Sequence, residues 1–171
     1  IKSKNIFKIV EPTNKTGSTT NFKIIDIRVE EKPTGEISLG AGVGTSGTTA
    51  AFGVKENNFL GKGINLDTNL QVSASTITGQ FVYSRPNFNY TDNTLYTSLA
   101  STKTDSLKDF GYKTSNTGFS IGTTFEQYEN LYFSPEISTA HEKLETSSSA
   151  SKFLKKQEGS YTDISVSYTH L

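Results

Sequence analysis

The side chains able to do covalent or metal chemistry are few. The 171-residue chain has two histidines, His141 and His170, and no cysteine. No HExxH spacing joins the histidines to a second ligand, so a zinc site has no pattern to rest on. Serine is plentiful, but no GxSxG elbow sets one up as a nucleophile. Glu30-Glu31 reads as a solvated strand end rather than an acid pair. The run Gly40-Ala41-Gly42-Val43-Gly44 has the glycine density of a phosphate loop, yet no GK[ST] follows and no helix pattern begins there. These patterns point away from an enzyme and call for no cofactor or metal. What remains is the chemistry of the backbone: strands, their edges, and what can pair with them.

The elements that would position such a backbone are all β. Alternating apolar and polar runs recur between clusters of Thr, Ser, Asn and Gly, and helix signals are nearly absent. Eight strands parse from the larger segment, near 36–45, 47–56, 62–74, 77–86, 93–104, 112–126, 130–142 and 160–171. Several exceed the usual globular strand and suit the 9–11 residues of a tilted membrane strand better. Ile37, Leu39, Ala41 and Val43 share one face of the first. Phe119, Ile121, Phe125, Leu131, Phe133, Ile137, Ile164 and Val166 repeat the period later, with Ser120, Gly122, Ser134 and Ser165 opposite them. Ahead of these strands, 1–34 reads as a hairpin. An apolar run (Ile6, Phe7, Ile9, Val10) and a strand from Phe22 to Glu30 flank a loop, PTNKTGSTTN. A two-stranded hairpin is too small to fold alone. Pro33 and Gly35 then break the chain as a hinge.

Charge excludes one class of partner. Seventeen basic residues balance seventeen acidic ones, and Lys155-Lys156 is too short for a basic patch. The sequence therefore gives no reason to expect nucleic acid. No run approaches the roughly 18 apolar residues of a transmembrane helix, which says nothing about a barrel, where only alternate residues meet lipid.

Three stretches together carry a family resemblance. FKIIDIRVEEKPTGE is similar to the last strand of a periplasmic POTRA domain and the linker after it. ISLGAGVGTSGTTAAFGVKENNFLGKG resembles the first barrel hairpin of the BamA-like outer-membrane assembly factors, and Asn58, Phe59, Leu60, Gly61 and Gly63 match the family's periplasmic turn. Arg85-Pro86-Asn87-Phe88 matches a later turn in part, since Arg85 and Asn87 depart from its usual wording. The resemblance implies an antiparallel transmembrane β-barrel, represented by about eight strands of a larger one. Residues 35–171 would be its amino-terminal half and 1–34 the carboxy-terminal hairpin of a POTRA domain. Both chain ends then read as cuts through structure.

The implied function is the folding and insertion of β-barrel proteins into the bacterial outer membrane, with the amino-terminal segment in the periplasm. The implied site is a lateral gate at the first barrel strand: Ile37, Ser38, Leu39, Gly40, Ala41, Gly42, Val43, Gly44 and Thr45. Its partners would be the lipid bilayer, unfolded barrel clients and accessory lipoproteins. Read without the family, the alternate glycines Gly40, Gly42 and Gly44 are a packing or bending device. The competing readings are a related transporter for polypeptide secretion or autotransporter assembly, a diffusive porin, and a soluble β-rich adhesin.

Overall fold

The computed structural model describes residues 6–19, 21–44 and 47–170. They divide into two units, 1–35 and 36–171. The first is an antiparallel hairpin of β1 (Phe7–Thr16) and β2 (Lys23–Glu31). Strand β1 runs through Pro12 into the stretch expected to be loop. It can do so because a two-stranded ribbon has only edges, where proline's missing donor is harmless. Pro12 lies opposite Ile27, and Val10 opposite Val29. Ile25, Ile27 and Val29 therefore share an apolar face that stays exposed.

The second unit is one antiparallel sheet of eight strands in sequence order: β3 (Gly35–Gly44), β4 (Gly47–Phe59), β5 (Ile64–Ser73), β6 (Thr76–Arg85), β7 (Thr94–Ser106), β8 (Tyr112–Tyr128), β9 (Leu131–Thr146) and β10 (Gly159–His170). The expected strands are all there, with β3 and β10 at the edges. The largest boundary differences are at the ends of β4 and β9. Strand β4 continues to Phe59 across a bulge after Glu56, so Asn58 and Phe59 belong to a strand rather than to the turn. The turn is Leu60 to Gly63. Leu60, Gly61 and Gly63 all have positive φ there (58°, 68° and 65°), which suits glycine and strains leucine.

Strand β9 runs four residues past its expected end and is followed by a short helix, α1 (Lys152–Lys156). The Ser151 hydroxyl caps α1 by accepting the Leu154 N–H at 3.2 Å. Sequence patterning placed only a loop there. The helix exists because its segment is tied down: Ser147 N–H donates to the Gly111 carbonyl (2.8 Å), and the Lys155 ammonium donates to the Ser148 carbonyl (2.7 Å).

This sheet has no second layer. Among the described residues only Ile64 and Ala150 are buried apolar side chains. A water-soluble sandwich would bury one face of each sheet against another. Here one entire face of large apolar side chains is left uncovered.

Candidate functional site

The pairing registers fix which residues share a face. Leu99, Phe119, Thr139 and Ile164 lie side by side across β7 to β10, and Ile121, Ile137 and Val166 form the next row. This face carries Ile37, Leu39, Val43, Phe52, Val54, Leu70, Val72, Ile77 and Phe81 as well, all exposed. The opposite face carries Asn65, Asp67, Asn69, Gln71, Gln80, Ser98, Ser120, Glu136 and Ser138. Ser120 is only 8% exposed. Its hydroxyl shares a hydrogen bond with Ser98 (2.8 Å) and donates to Glu136 (3.3 Å). Gly122 is buried and Ser134 half-buried, whereas Ser165, on the edge strand β10, is exposed. Among the apolar residues Phe125 is half-buried, and so is Phe133. It sits among the rings of Phe125, Tyr168 and His170, with centroids 5.6, 6.2 and 5.1 Å away.

The apolar face is a band bounded by charge, and the band crosses the strands obliquely. One hydrogen-bonded row reads Glu56, Leu66, Tyr83, Thr97, Ile121, Ile137, Val166: charged at β4 and apolar by β8. A second row reads Ala50, Val72, Ile77, Lys103, Ser115, Lys143, Ser160: apolar at β4 and basic from β7. At the first border the charge moves from Glu56 on β4 to Arg85 on β6, one row lower. A shift of two residues over two strand spacings corresponds to an inclination of about 35°. Transmembrane barrel strands tilt by about that amount.

The edge strand β3 carries the residues expected to form a gate. Leu39 and Val43 are 82% and 86% exposed on the apolar face. On the other face, Ser38 lies over Gly53 of β4, where an added Cβ would come within 2.5 Å of the Ser38 hydroxyl and 2.9 Å of Asn69 Oδ1. Gly53 is thus the notch that admits Ser38 and Asn69 together. A Cβ at Gly40 would meet only Ala51, at 3.8 Å, and one at Gly42 or Gly44 would meet nothing within 4 Å. Close packing therefore does not account for Gly42 and Gly44. Nearer Ser38 lies an open cavity of about 430 Å³, lined by Ser38, Gly40, Ala51, Gly53, Asn69 and Gln80 among others. Side chains hold β3 at its Ser38 end and hardly at all beyond. Thr45 and Ser46 lie outside the described residues.

The Asn58 turn is built around one side chain. Asn58 Oδ1 accepts the Gly63 N–H (2.7 Å), while the Asn58 N–H donates to Glu56 Oε1 (2.7 Å). Replacing Asn58 with alanine should lower stability by about 1 kcal/mol, the net value of such a bond. Asn58→Asp keeps the acceptor and should keep most of the stability. Urea midpoints of the two variants check this, and equal midpoints would contradict it. At the Arg85–Phe88 turn the guanidinium stands 5.5 Å from the Phe88 ring centroid, and Tyr90 is fully exposed. Among the described residues no group of three His, Asp or Glu side chains could hold a metal.

The sequence matches the Omp85 superfamily domain over residues 58–171. The chain belongs to the Omp85 superfamily. Its fold is similar to the crystal structure of BamA from Haemophilus ducreyi lacking POTRA domains 1-3. The TM-score is 0.73 at 23% identity, over 98% of this chain and 34% of that one. The chain thus spans about a third of the length of that structure. Among curated proteins none matches. The Omp85 sheet described here is open, with β3 and β10 as free edges. Residues that sequence patterning left without a role, Gly53, Tyr96 and Gly111 among them, matter through neighbours that only the register reveals. For Gly53 and Gly111 the one sequence signal is glycine inside or beside a strand.

Proposed function

We propose that this chain is part of an outer-membrane assembly factor that folds and inserts β-barrel proteins, with β3 as the edge at which a client strand is templated. The observation that carries this reading is the position of β3. It is the first strand of the sheet, and beyond Ser38 its polar-face positions Gly42 and Gly44 have nothing within 4 Å of where a Cβ would stand, so side chains hold it only weakly there. An unpaired edge is intolerable in lipid, where each lone N–H or C=O costs several kcal/mol. A seam held mainly by backbone hydrogen bonds can part and offer the same bonds to another strand. The exposed apolar band, its charged borders and its oblique course support a sheet that faces lipid on one side. Arginine in place of Phe119, near the middle of that band, should destabilise the inserted state by about 3 kcal/mol. Heat-modifiable gel mobility of membrane-extracted protein reads that loss, and unaltered mobility would contradict it.

In this reading 35–171 is the amino-terminal half of the barrel and the 1–34 hairpin is the end of a periplasmic POTRA domain. The remainder of that domain covers Ile25, Ile27 and Val29, and Pro33 and Gly35 act as the hinge. Accessory lipoproteins and unfolded clients are the partners, and the protein acts without catalysis, nucleotide or metal. The second reading, a secretion or autotransporter-assembly relative, shares the sheet and differs in cargo. Folding of a urea-denatured barrel client into vesicles, with and without the reconstituted full-length protein, separates the two. Acceleration for several unrelated clients supports assembly. Acceleration for none, with passage of a single partner polypeptide, supports secretion.

A further inference from the structure

We propose that Lys103, Lys113 and Lys143, where the apolar face gives way on β7 to β9, form a binding surface for phosphate-bearing lipid headgroups. The three come together only through the register. Lys103 and Lys143 flank Ser115 in one row, two strand spacings or about 10 Å apart. Lys113 stands one row further out on β8, between Asp105 and Glu145.

The carboxylates do not cancel the group. Lys113 pairs with Asp105 at 3.8 Å and Lys143 with Glu145, while Lys103 has no ion pair among the described residues. Three lysines against two carboxylates leave one net positive charge, centred on the Lys103 side. Hydroxyl donors surround it: Ser115 in the same row, and Ser101 and Thr117 one row nearer the band, themselves bonded at 2.9 Å. Two rows in from Lys103, Leu99 and Phe119 are exposed apolar side chains. A lysine here can lay its carbon stem on the hydroxyl row and lift its ammonium to the level of headgroups.

That continuity with the apolar band selects the occupant. A soluble partner would have to dock on a face that borders lipid, whereas a lipid phosphate is already at that level. The other border of the band offers no such excess. It holds Glu56 and Arg85, one charge of each sign, and Arg85 is drawn over Phe88. The lysines of the α1 segment are not part of the surface. That segment leans to the opposite face, where Tyr161 donates to the Gln157 carbonyl at 3.2 Å.

This inference rests on the membrane-spanning reading, and one experiment separates the two. The full-length protein with Ser160→Cys, an exposed position in the lysine row, is labelled with a fluorophore and reconstituted in phosphatidylcholine vesicles. Quenching by spin-labelled phosphatidic acid is compared with quenching by the same label on phosphatidylcholine. The expected preference for phosphatidic acid is about fivefold, the factor one lysine near an anionic surface supplies. It should vanish in a Lys103→Gln, Lys143→Gln variant and survive in a Lys152→Gln, Lys156→Gln control. Millimolar inorganic phosphate should leave it unchanged. Equal quenching by the two lipids overturns the headgroup site, as does loss of the preference to inorganic phosphate. Quenching by neither lipid overturns the membrane-spanning reading itself.

Discussion

Replacing Gly111 with alanine is expected to release the segment 147–158 from the end of the sheet. Gly111 has φ of 75°, and a Cβ there would lie 2.8 and 2.9 Å from the Ala150 backbone nitrogen and Cα, and 3.0 Å from the Ser147 hydroxyl. The first two contacts are with main chain, which cannot turn aside as a side-chain tip can. Nor can the segment back away intact, since Ser147 N–H is bonded to the Gly111 carbonyl. Strain at positive φ and the overpacking together come to about 3 kcal/mol. Trypsin should then cut after Lys152, Lys155 and Lys156 about a hundredfold faster, because cleavage follows the population of the opened segment. An unchanged cleavage rate, with the sheet folded, would contradict this contact.

Alanine at Gly122 should have an effect nearly as large, by a different route. A Cβ at 122 would collide with the ring and hydroxyl of Tyr96 and stand 2.9 Å from the Pro135 carbonyl oxygen. Tyr96 lies opposite Gly122 on the polar face, with its hydroxyl beside Glu136. Swinging away would take the tyrosine from that place. The expected loss is about 2 kcal/mol. Truncating the tyrosine removes much of the collision, so Gly122→Ala combined with Tyr96→Ala should be less damaging than the sum of the two. The coupling should be about 1 kcal/mol in a double-mutant cycle followed by urea unfolding. Strict additivity would show that the tyrosine does not occupy the space above Gly122.

The parts of this structure legible in the sequence were those set by local period. Ile37, Leu39, Ala41 and Val43 declare a two-residue repeat by themselves, and so do Phe119 to Phe125 and Ile164 to Tyr168. Their strands and faces followed. The turn at Gly61 and Gly63 was legible for a similar reason, since positive φ has few side-chain solutions. What escaped depends on partners distant in sequence. Helix α1 holds because Ala150 sits against Gly111, and no pattern within 147–158 announces that contact.

Strand β1 passes through Pro12 because it has an unpaired side to spare. Asn57-Asn58 looks like a turn and is a bulge, because Asn58 spends its side chain on Gly63 rather than on a tighter loop. The oblique course of the apolar band was equally hidden. Lys103 is an ordinary strand lysine and Lys143 falls past the expected strand end at 142, until the register puts them in one row with Ile77 and Ala50. At the edge strand, the glycines were legible as unusual. That Gly42 and Gly44 face open space rather than a close neighbour required the structure.

The central claim is that β3 is an edge that opens to pair with clients. It is tested most directly by preventing it from opening. In the intact protein, a cysteine in place of Leu39 and another in the strand that closes the barrel against β3 should form a disulfide. Locked, the protein should remain folded and inserted, yet folding of barrel clients should stop, and reduction should restore it. Clients assembled at the normal rate by the locked protein would contradict the account.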